Sequence, residues 1–434
     1  RAARARCAPG VPDAAWHVLG RTRVTDRMSG LRVLHVSAYF APAFLYGGPP
    51  RSILGLCRAL RSAGVDVEVM TTTANGPNAT LEPAVERPRI VDGVPVRYFP
   101  IAEPRWLWHA PQLRDTVQRD TPAYDVVHVH GLWHLPAWHA ARAARRYDVP
   151  YVVSPRGMLE PQALALRHTR KAIAFRLVEQ RNLKRAATLH ATSAQESATL
   201  EQRRLGPPIL LAPNGVDIDR VTSANPALVL RALGLSPDER FVLFLGRIHP
   251  IKRLDLLAAA MTHRRTRDIS IVVAGPDEGG HRETIAPLFE ASGVRTIWTG
   301  PVDDDRKAAL LTAARALVVC SDSESFGLTV AEAMAAATPV VVTRTCPWAE
   351  IEPEGAGYWV EQTAPAIADA VDRVLSDEQA ARAMGARGRA LVERRYTWAE
   401  SARLLARCYE GLAARRAHHA FDRGAGAPGV SNAG

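Results

Sequence analysis

The chain has 434 residues, of which 47% are hydrophobic and 23% charged, and its formal net charge is +11. That balance excludes an intrinsically disordered chain and fits two or three ordinary domains, while no apolar run reaches the about 20 residues that a bilayer-crossing helix needs. Five cysteines (Cys7, Cys57, Cys320, Cys346 and Cys408) are scattered and odd in number, which argues against a disulfide framework or a thiolate zinc site and for a reducing compartment.

Residues 1–27 carry six arginines and two aspartates without periodicity. They read as a disordered or non-native extension, with Met28 as the natural start. The segment lacks the apolar centre of a secretory signal, and an Arg- and Ala-rich transit peptide is the weaker alternative. From Leu31 onward, short β-branched runs alternate with Ala-, Leu- and Arg-rich helical stretches. Strands are predicted at 31–37, 65–72, 94–99, 125–130, 150–154, 188–192 and 209–212, then at 241–246, 270–275, 296–300, 316–321 and 339–343. Near-continuous apolar strands separated by helices indicate parallel sheets covered on both faces, and two such series indicate two doubly wound domains. The break falls at the turn sequence Pro213-Asn214-Gly215-Val216-Asp217. The predicted division is 28–215 for the first domain and 216–395 for the second. A helix at 396–415 crosses back toward the first domain, and a Gly- and Ala-rich tail at 416–434 is disordered.

Four stretches carry candidate chemistry. Tyr46-Gly47-Gly48-Pro49-Pro50-Arg51 joins the first strand to a helix beginning near Ser52; its glycines would let backbone N–H groups approach an anion, and they serve equally well as a plain tight turn. His128-Val129-His130-Gly131 ends the fourth predicted strand's region, followed by Trp133, His134 and His139. Residues two apart on a strand share a face, and His130 sits at the carboxyl end, where open α/β sheets hold ligands. No carboxylate or thiolate completes a zinc spacing, so no metal is expected. Buried hydrogen bonding explains His128, whereas the strand-end position of His130 favours a substrate role.

Gly246-Arg247 and Lys252 bracket a loop after the first strand of the second domain, placing a planar fork and a point charge where a diphosphate could sit. The last stretch runs Glu324-Ser325-Phe326-Gly327-Leu328-Thr329-Val330-Ala331-Glu332. It puts one carboxylate before a helix and another inside it, with first-turn N–H groups between them. The plain alternative makes Glu324 a charge near a helix N-terminus and Glu332 a surface group. The small, apolar neighbours of Glu332 argue for a packed helix in which an unpaired carboxylate is costly. Asp303-Asp304-Asp305 reads as acidic capping of a helix rather than a metal motif. Arg105-Trp106-Leu107-Trp108 suits either a membrane surface or a loop packed on the core.

In this order the motifs resemble the retaining glycosyltransferases of family 4, and the resemblance spans roughly residues 28–415. It implies the α/β GT-B fold: two Rossmann-like doubly wound domains facing across a cleft. It also implies roles. Arg247 and Lys252 would neutralise the departing nucleotide diphosphate, and Glu332 would hold the ribose. Glu324 would hold the donor sugar, with backbone groups of Phe326, Gly327 and Leu328 on sugar and phosphate. Gly47 and Gly48 would admit the diphosphate on closure, and His130 would lie near the reacting carbon. Tyr46, Arg51, His134 and Arg156 are the acceptor-side candidates, the two arginines suiting a phosphorylated or lipid-diphosphate acceptor or lying simply on the surface. The run Ser154-Pro155-Arg156-Gly157-Met158-Leu159 resembles members in bacterial polysaccharide and lipopolysaccharide assembly. One departure stands out: Lys252 is followed by Arg253 and Leu254 where such proteins are usually glycine-rich.

The function so implied is transfer of a sugar from a nucleotide-sugar to a glycan or lipid-linked acceptor, with no cofactor or metal. It would take place in the cytoplasm, where the basic balance suits peripheral contact with the anionic inner face of the membrane. A nucleotide-sugar epimerase or a sugar phosphorylase of the same fold are the neighbouring enzyme readings. A basic membrane-associated scaffold is the non-catalytic one. Nucleic acid is not an expected partner, because the cations are not interleaved with aromatics and no nucleic-acid motif occurs.

Overall fold

A computed structural model describes residues 30–425 apart from 77, 104, 166–170, 172–173, 223–225 and 237–238. The extension at 1–27, the proposed start at Met28 and the last residues of the tail lie outside the described residues. Two sheets organise the rest. The first contains β1 (Arg32–Ser37), β2 (Asp66–Thr72), β3 (Ala84–Val91), β4 (Val94–Phe99), β5 (Val126–His130), β6 (Tyr151–Ser154), β7 (Thr188–Ala191) and β8 (Ile209–Leu211). Its order is β3-β4-β2-β1-β5-β6-β7-β8, parallel except for β3, which runs antiparallel to β4. The second contains β9 (Phe241–Leu245), β10 (Ser270–Ala274), β11 (Arg295–Gly300), β12 (Ala316–Val319), β13 (Val340–Thr343) and β14 (Gly357–Val360), ordered β11-β10-β9-β12-β13-β14 and all parallel.

All twelve predicted strands are present. The sequence reading missed two. β3 is an exposed edge strand whose Glu86, Arg87, Pro88 and Arg89 hide any apolar alternation. β14 is four residues of Gly-Tyr-Trp-Val at the opposite edge of the second sheet. Central strands such as β5 and β9 are buried along their whole length, as doubly covered parallel strands must be.

The strand orders fix where ligands can bind. Strand order reverses between β1 and β5 in the first sheet and between β9 and β12 in the second. Loops leaving the carboxyl ends at such switch points diverge and open a crevice. The four motif stretches emerge at these ends: Tyr46–Gly48 after β1, Gly131–His134 after β5, Gly246–Lys252 after β9 and Glu324–Leu328 after β12.

The chain returns to the first lobe at its end. Helix Trp398–Ala425 runs ten residues past the end predicted for it at 415 and packs on helix Gly48–Ser62. The tail expected to be disordered from 416 is therefore helical as far as Ala425. Leu405, Ala406, Tyr409 and Leu412 join Val33, Leu54, Cys57 and Leu60 in one buried cluster. Val216 pairs with Thr397 as an isolated bridge, so the two segments that cross between lobes run side by side. Two glycines permit the approach: an added Cβ would lie 2.4 Å from the Trp398 ring at Gly55 and 2.2 Å from the Trp398 nitrogen at Gly215.

Gly55→Val should therefore push the returning helix off the first lobe at a cost of about 1–3 kcal/mol, as overpacking does. A thermal midpoint equal to that of the unaltered protein would show that Trp398 does not lie against this glycine.

Candidate functional site

The second lobe supplies a row of paired charges. Glu324 follows β12, and its Oε1 accepts from Lys252 Nζ at 2.5 Å and from Ser321 Oγ at 2.8 Å. Lys252 closes the short 3-10 turn Pro250–Lys252 after β9. Arg253, next in the chain, adopts φ +53°, a left-handed conformation that glycine takes more easily. The departure from a glycine-rich loop noted in the sequence is thus accommodated: the Arg253 guanidinium is tied to Asp255 at 3.0 Å and to Asp322 at 3.1 Å.

Glu332 lies on helix Leu328–Ala335 and pairs with Lys307 Nζ at 2.7 Å. Lys307 also reaches Asp304 at 3.5 Å. Asp303 caps helix Asp304–Ala313 by accepting from the Arg306 N–H, as its sequence indicated. Asp304 and Lys307 were not among the sequence's site candidates. Read as part of a capping run, they gave no sign of meeting a carboxylate some twenty-five residues away.

Between the two glutamates, Gly327 at φ +80° starts the helix. The first-turn N–H groups of a helix have no intrahelical acceptor, so this turn presents donors beside Glu324. The turn is anchored beneath by Trp348, fully buried, whose indole N–H donates to the Phe326 carbonyl at 2.6 Å. Phe326, Trp348 and Tyr396 pack as tilted rings at 5.0–5.7 Å between centroids. Phe326 is 3% exposed, so its side chain serves packing and only its backbone is offered to a ligand.

The first lobe closes on this surface. A Cβ at Gly47, at φ +85°, would stand 3.3 Å from Arg247 Nε, and one at Gly48 would stand 3.8 Å from Leu328 Cδ1. Arg247 itself is ion-paired with Glu278. Gly157, at φ +74°, faces Ser325: a Cβ there would be 2.6 Å from the serine Cβ.

Two expectations for the acceptor side need correction. Arg51 does not point into the first lobe for an acceptor; its guanidinium pairs with Asp304 of the second lobe at 2.6 Å and lies 4.2 Å over the Phe44 ring. Arg156 is neither a surface cation nor a ligand clamp. It is 8% exposed, and it donates to His130 Nδ1 at 3.1 Å and to Ser52 Oγ at 2.9 Å. Burial pushes its pKa down to about 10, which leaves it cationic at neutral pH. Its loop is held by Glu196, whose carboxylate accepts from the N–H groups of Gly157 and Thr192 at 2.6 and 2.8 Å. Tyr46 and His134 both lie in the first lobe, after β1 and β5. Tyr46 donates to the Gly76 carbonyl at 3.1 Å. His134 caps helix Leu135–Arg146 through Nδ1, leaving Nε2–H for the His130 carbonyl at 3.1 Å.

His130 is 1% exposed and belongs to a buried relay. Its Nδ1 accepts from Arg156, so its Nε2–H donates to His35 Nδ1 at 2.9 Å. The His35 Nε2–H is buried with no hydrogen-bond partner among the described residues. A second relay lies alongside, with the His128 and His130 rings 4.2 Å apart. His190 Nε2 must donate to the Ala212 carbonyl, which makes its Nδ1 the acceptor of the Ser154 hydroxyl at 2.5 Å. Ser154 then accepts from His128 Nε2–H at 2.7 Å, and His128 Nδ1 accepts from the Tyr409 hydroxyl at 2.6 Å. Neither His35 nor Tyr409 carries a motif signal; the first is one more residue of β1, and the second arrives on the returning helix.

His35, His128 and His130 have ligand atoms within 4.8 Å of one another. Their lone pairs are nonetheless committed to Tyr409, Arg156 and each other, and a cation placed there would face the Arg156 charge. Burial is the main cause that lowers every pKa in the group: to about 3 for His35, to about 4 for His134 and His190, and well below the ordinary value for His128 and His130. His130 is therefore a neutral hydrogen-bonding group at physiological pH, not a proton donor in the imidazolium form.

Comparisons with known proteins cover most of the chain. The family model described as "Glycosyl transferases group 1" matches residues 229–391, and the "Glycosyl transferase 4-like domain" matches residues 47–215. A D-inositol 3-phosphate glycosyltransferase of Frankia alni is 32% identical over 389 residues, 84% of this chain and 94% of that one. Another, of Catenulispora acidiphila, is 31% identical over 324 residues, 69% and 74% of the two chains. Among solved structures, sucrose-phosphate synthase from Thermosynechococcus elongatus superposes with a TM-score of 0.71 at 24% identity, over 89% of this chain and all of that one. Anabaena HepE in complex with UDP and glucose gives 0.69 at 18%, over 88% of this chain and all of that one. These two likenesses speak to the fold, which is GT-B.

Buried imidazoles that stay neutral while their unfolded counterparts protonate near pH 6.5 destabilise the fold as pH falls. Stability should be flat above about pH 7 and drop between about pH 6.5 and 4, by about 1.4 kcal/mol per pH unit for each such histidine. Urea midpoints measured across that range check this, and a midpoint unchanged from about pH 7 to 5 would contradict it.

Proposed function

The chain belongs to the group 1, family 4 glycosyltransferases, and from that premise we propose that it transfers a sugar with retention from a nucleotide-sugar to a glycan or lipid-linked acceptor in surface polysaccharide synthesis. The observation that carries the donor half is the pairing of both signature carboxylates with lysines at the switch point of the second sheet, Glu324 with Lys252 and Glu332 with Lys307. Each pair is a place where a ligand can exchange with an internal partner. A diphosphate drawn to Lys252 and Arg247 would release Glu324 to the donor sugar's hydroxyls, and a ribose would take Glu332 in place of Lys307.

The reaction's electrostatic demand is charge on the departing diphosphate. Arg247, Lys252 and the first-turn N–H groups at Gly327 and Leu328 meet it with fixed positive charge, and the reading assigns no metal or cofactor. Retention follows if the acceptor hydroxyl attacks on the face the diphosphate leaves. His130, neutral and held by Arg156, would hydrogen-bond a sugar hydroxyl rather than give up a proton. Gly47 and Gly48, against Arg247 and Leu328, let the first lobe close over the donor and keep water out. Among the described residues no helix is long and apolar enough to cross a membrane. The net charge of +11 supports cytoplasmic action at an anionic membrane face.

A second reading is favoured by the printed names of the relatives at 31–32% identity, whose acceptor is D-inositol 3-phosphate. It would give this chain a small phosphorylated polyol as acceptor, with the same donor apparatus.

Thermal-shift titration with UDP, GDP, ADP and their common sugars tests the donor site. One nucleotide should raise the midpoint of the intact protein, and Glu332→Ala should abolish that rise. In turnover with the donor so identified, Lys252→Ala should lower kcat about a hundredfold, the scale of losing a charge-stabilising donor. A Glu332→Ala protein that keeps the full nucleotide shift would remove this carboxylate from the ribose site.

A further inference from the structure

We infer that the acceptor enters as an unphosphorylated sugar ring stacked on an aromatic platform formed by Tyr39, Tyr46 and Trp108, with His134 at its edge. The inference rests on the transferase reading of the cleft and names the class of acceptor. Tyr39 and Tyr46 both follow β1, and their rings stack at 4.3 Å and 17°. Trp108 comes from the loop after β4 and tilts against Tyr39 at 6.0 Å; His134, after β5, meets Trp108 edge-on at 6.1 Å. Three separate loops thus gather these rings beside the first sheet's switch point. Tyr39, Tyr46 and Trp108 remain half-buried rather than closed into the core.

The platform borders the donor site. Gly47, which follows Tyr46, lies against Arg247. Burial raises the pKa of the Tyr39 hydroxyl, and the charges of Arg156 and Arg247 oppose that shift. Trp108 also holds φ +50°. A bulky side chain rarely takes that conformation, and strain of this kind gathers at ligand sites. The loop that imposes it is closed by the Ala102–His109 bridge and by the Trp108 N–H on the Arg105 carbonyl at 2.9 Å.

The chemistry follows from what a ring offers. The flat C–H face of a hexose suits an aromatic surface, and its hydroxyl edge suits polar neighbours. A phosphate needs a cation among these rings, and none of the four residues that form the platform carries a charge, the His134 imidazole being kept neutral by burial. Arg51 is held across the cleft by Asp304, and Arg156 is buried under His130 and Ser52. Recognition by stacking therefore separates this chain from an acceptor defined by its phosphate.

Saturation-transfer NMR on the full chain decides it, using methyl α-D-glucoside, mannoside and galactoside against D-inositol 3-phosphate. At least one methyl glycoside should bind through its ring C–H protons. Trp108→Leu should weaken that binding about tenfold, the scale of losing a central aromatic anchor, and Trp108→Phe should retain most of it. Unchanged glycoside binding in Trp108→Leu would overturn the inference. So would D-inositol 3-phosphate binding more tightly than every glycoside, or no glycoside binding at all. The nucleotide thermal shift, read on the same samples, keeps the two readings apart. Its loss with glycoside binding intact counts against the donor assignment alone; its presence without glycoside binding counts against the platform alone.

Discussion

Charge in the cleft is arranged under one constraint: a carboxylate withdrawn from water needs a cation or a set of donors beside it. Glu324 and Glu332 are each only about 15% exposed at the side chain, and each has a lysine within 2.7 Å. Lys307 and Asp304 extend the second pair, and Arg51 carries it across to the first lobe. Partly exposed pairs of this kind contribute only about 1 kcal/mol net. They are strong enough to order the side chains before a ligand arrives and weak enough to yield to one. The residues that would grip a nucleotide-sugar are thus pre-positioned by the partners that they exchange for it, and the same chain of charges makes the fit between lobes depend on the state of Glu332.

The first lobe solves a related problem with a layer of buried imidazoles around His130. Its buried imidazoles are uncharged, so burial costs them only hydrogen bonds, and the two relays supply nearly all of these. Arg156 lies in that layer as a buried cation, and the charge of the buried Glu196 offsets it. Tyr409 supplies the donor that fixes the His128 tautomer, and it arrives on a helix whose start, Trp398, is wedged between Gly55 and Gly215. Packing of the chain's last helix and orientation of the rings around His130 are therefore one structural problem rather than two.

How far the sequence could be read follows from how local each feature is. β9 and β12 announce themselves as unbroken apolar runs, and Glu324 to Glu332 is a nine-residue motif whose loop, glycine and helix are contiguous. β3 was invisible because an edge strand that faces water needs no apolar face. Asp304 and Lys307 were legible as a helix start but not as partners of Glu332, since nothing in a capping run encodes which distant side chain it meets. Arg51 and Arg156 were misplaced for a related reason. An arginine in a basic chain looks solvent-bound until the fold shows what it touches, and here one spans the cleft while the other is buried under a histidine.

The same distinction governs what relatives at 31–32% identity can say about this chain. In the proposed reading the donor contacts would lie on two short stretches, 246–252 and 324–332, set by the carboxyl ends of adjacent strands, and any chain with those strands and that motif would present them alike. The acceptor contacts would come from loops after β1, β4 and β5, where length and side chains vary with little effect on the core. Trp108 sits in such a loop, in a conformation its own side chain resists, and that strain is maintained by a local bridge rather than by the fold. A feature the fold does not require, and that the backbone adopts at a cost, is explained best by the molecule it is there to meet.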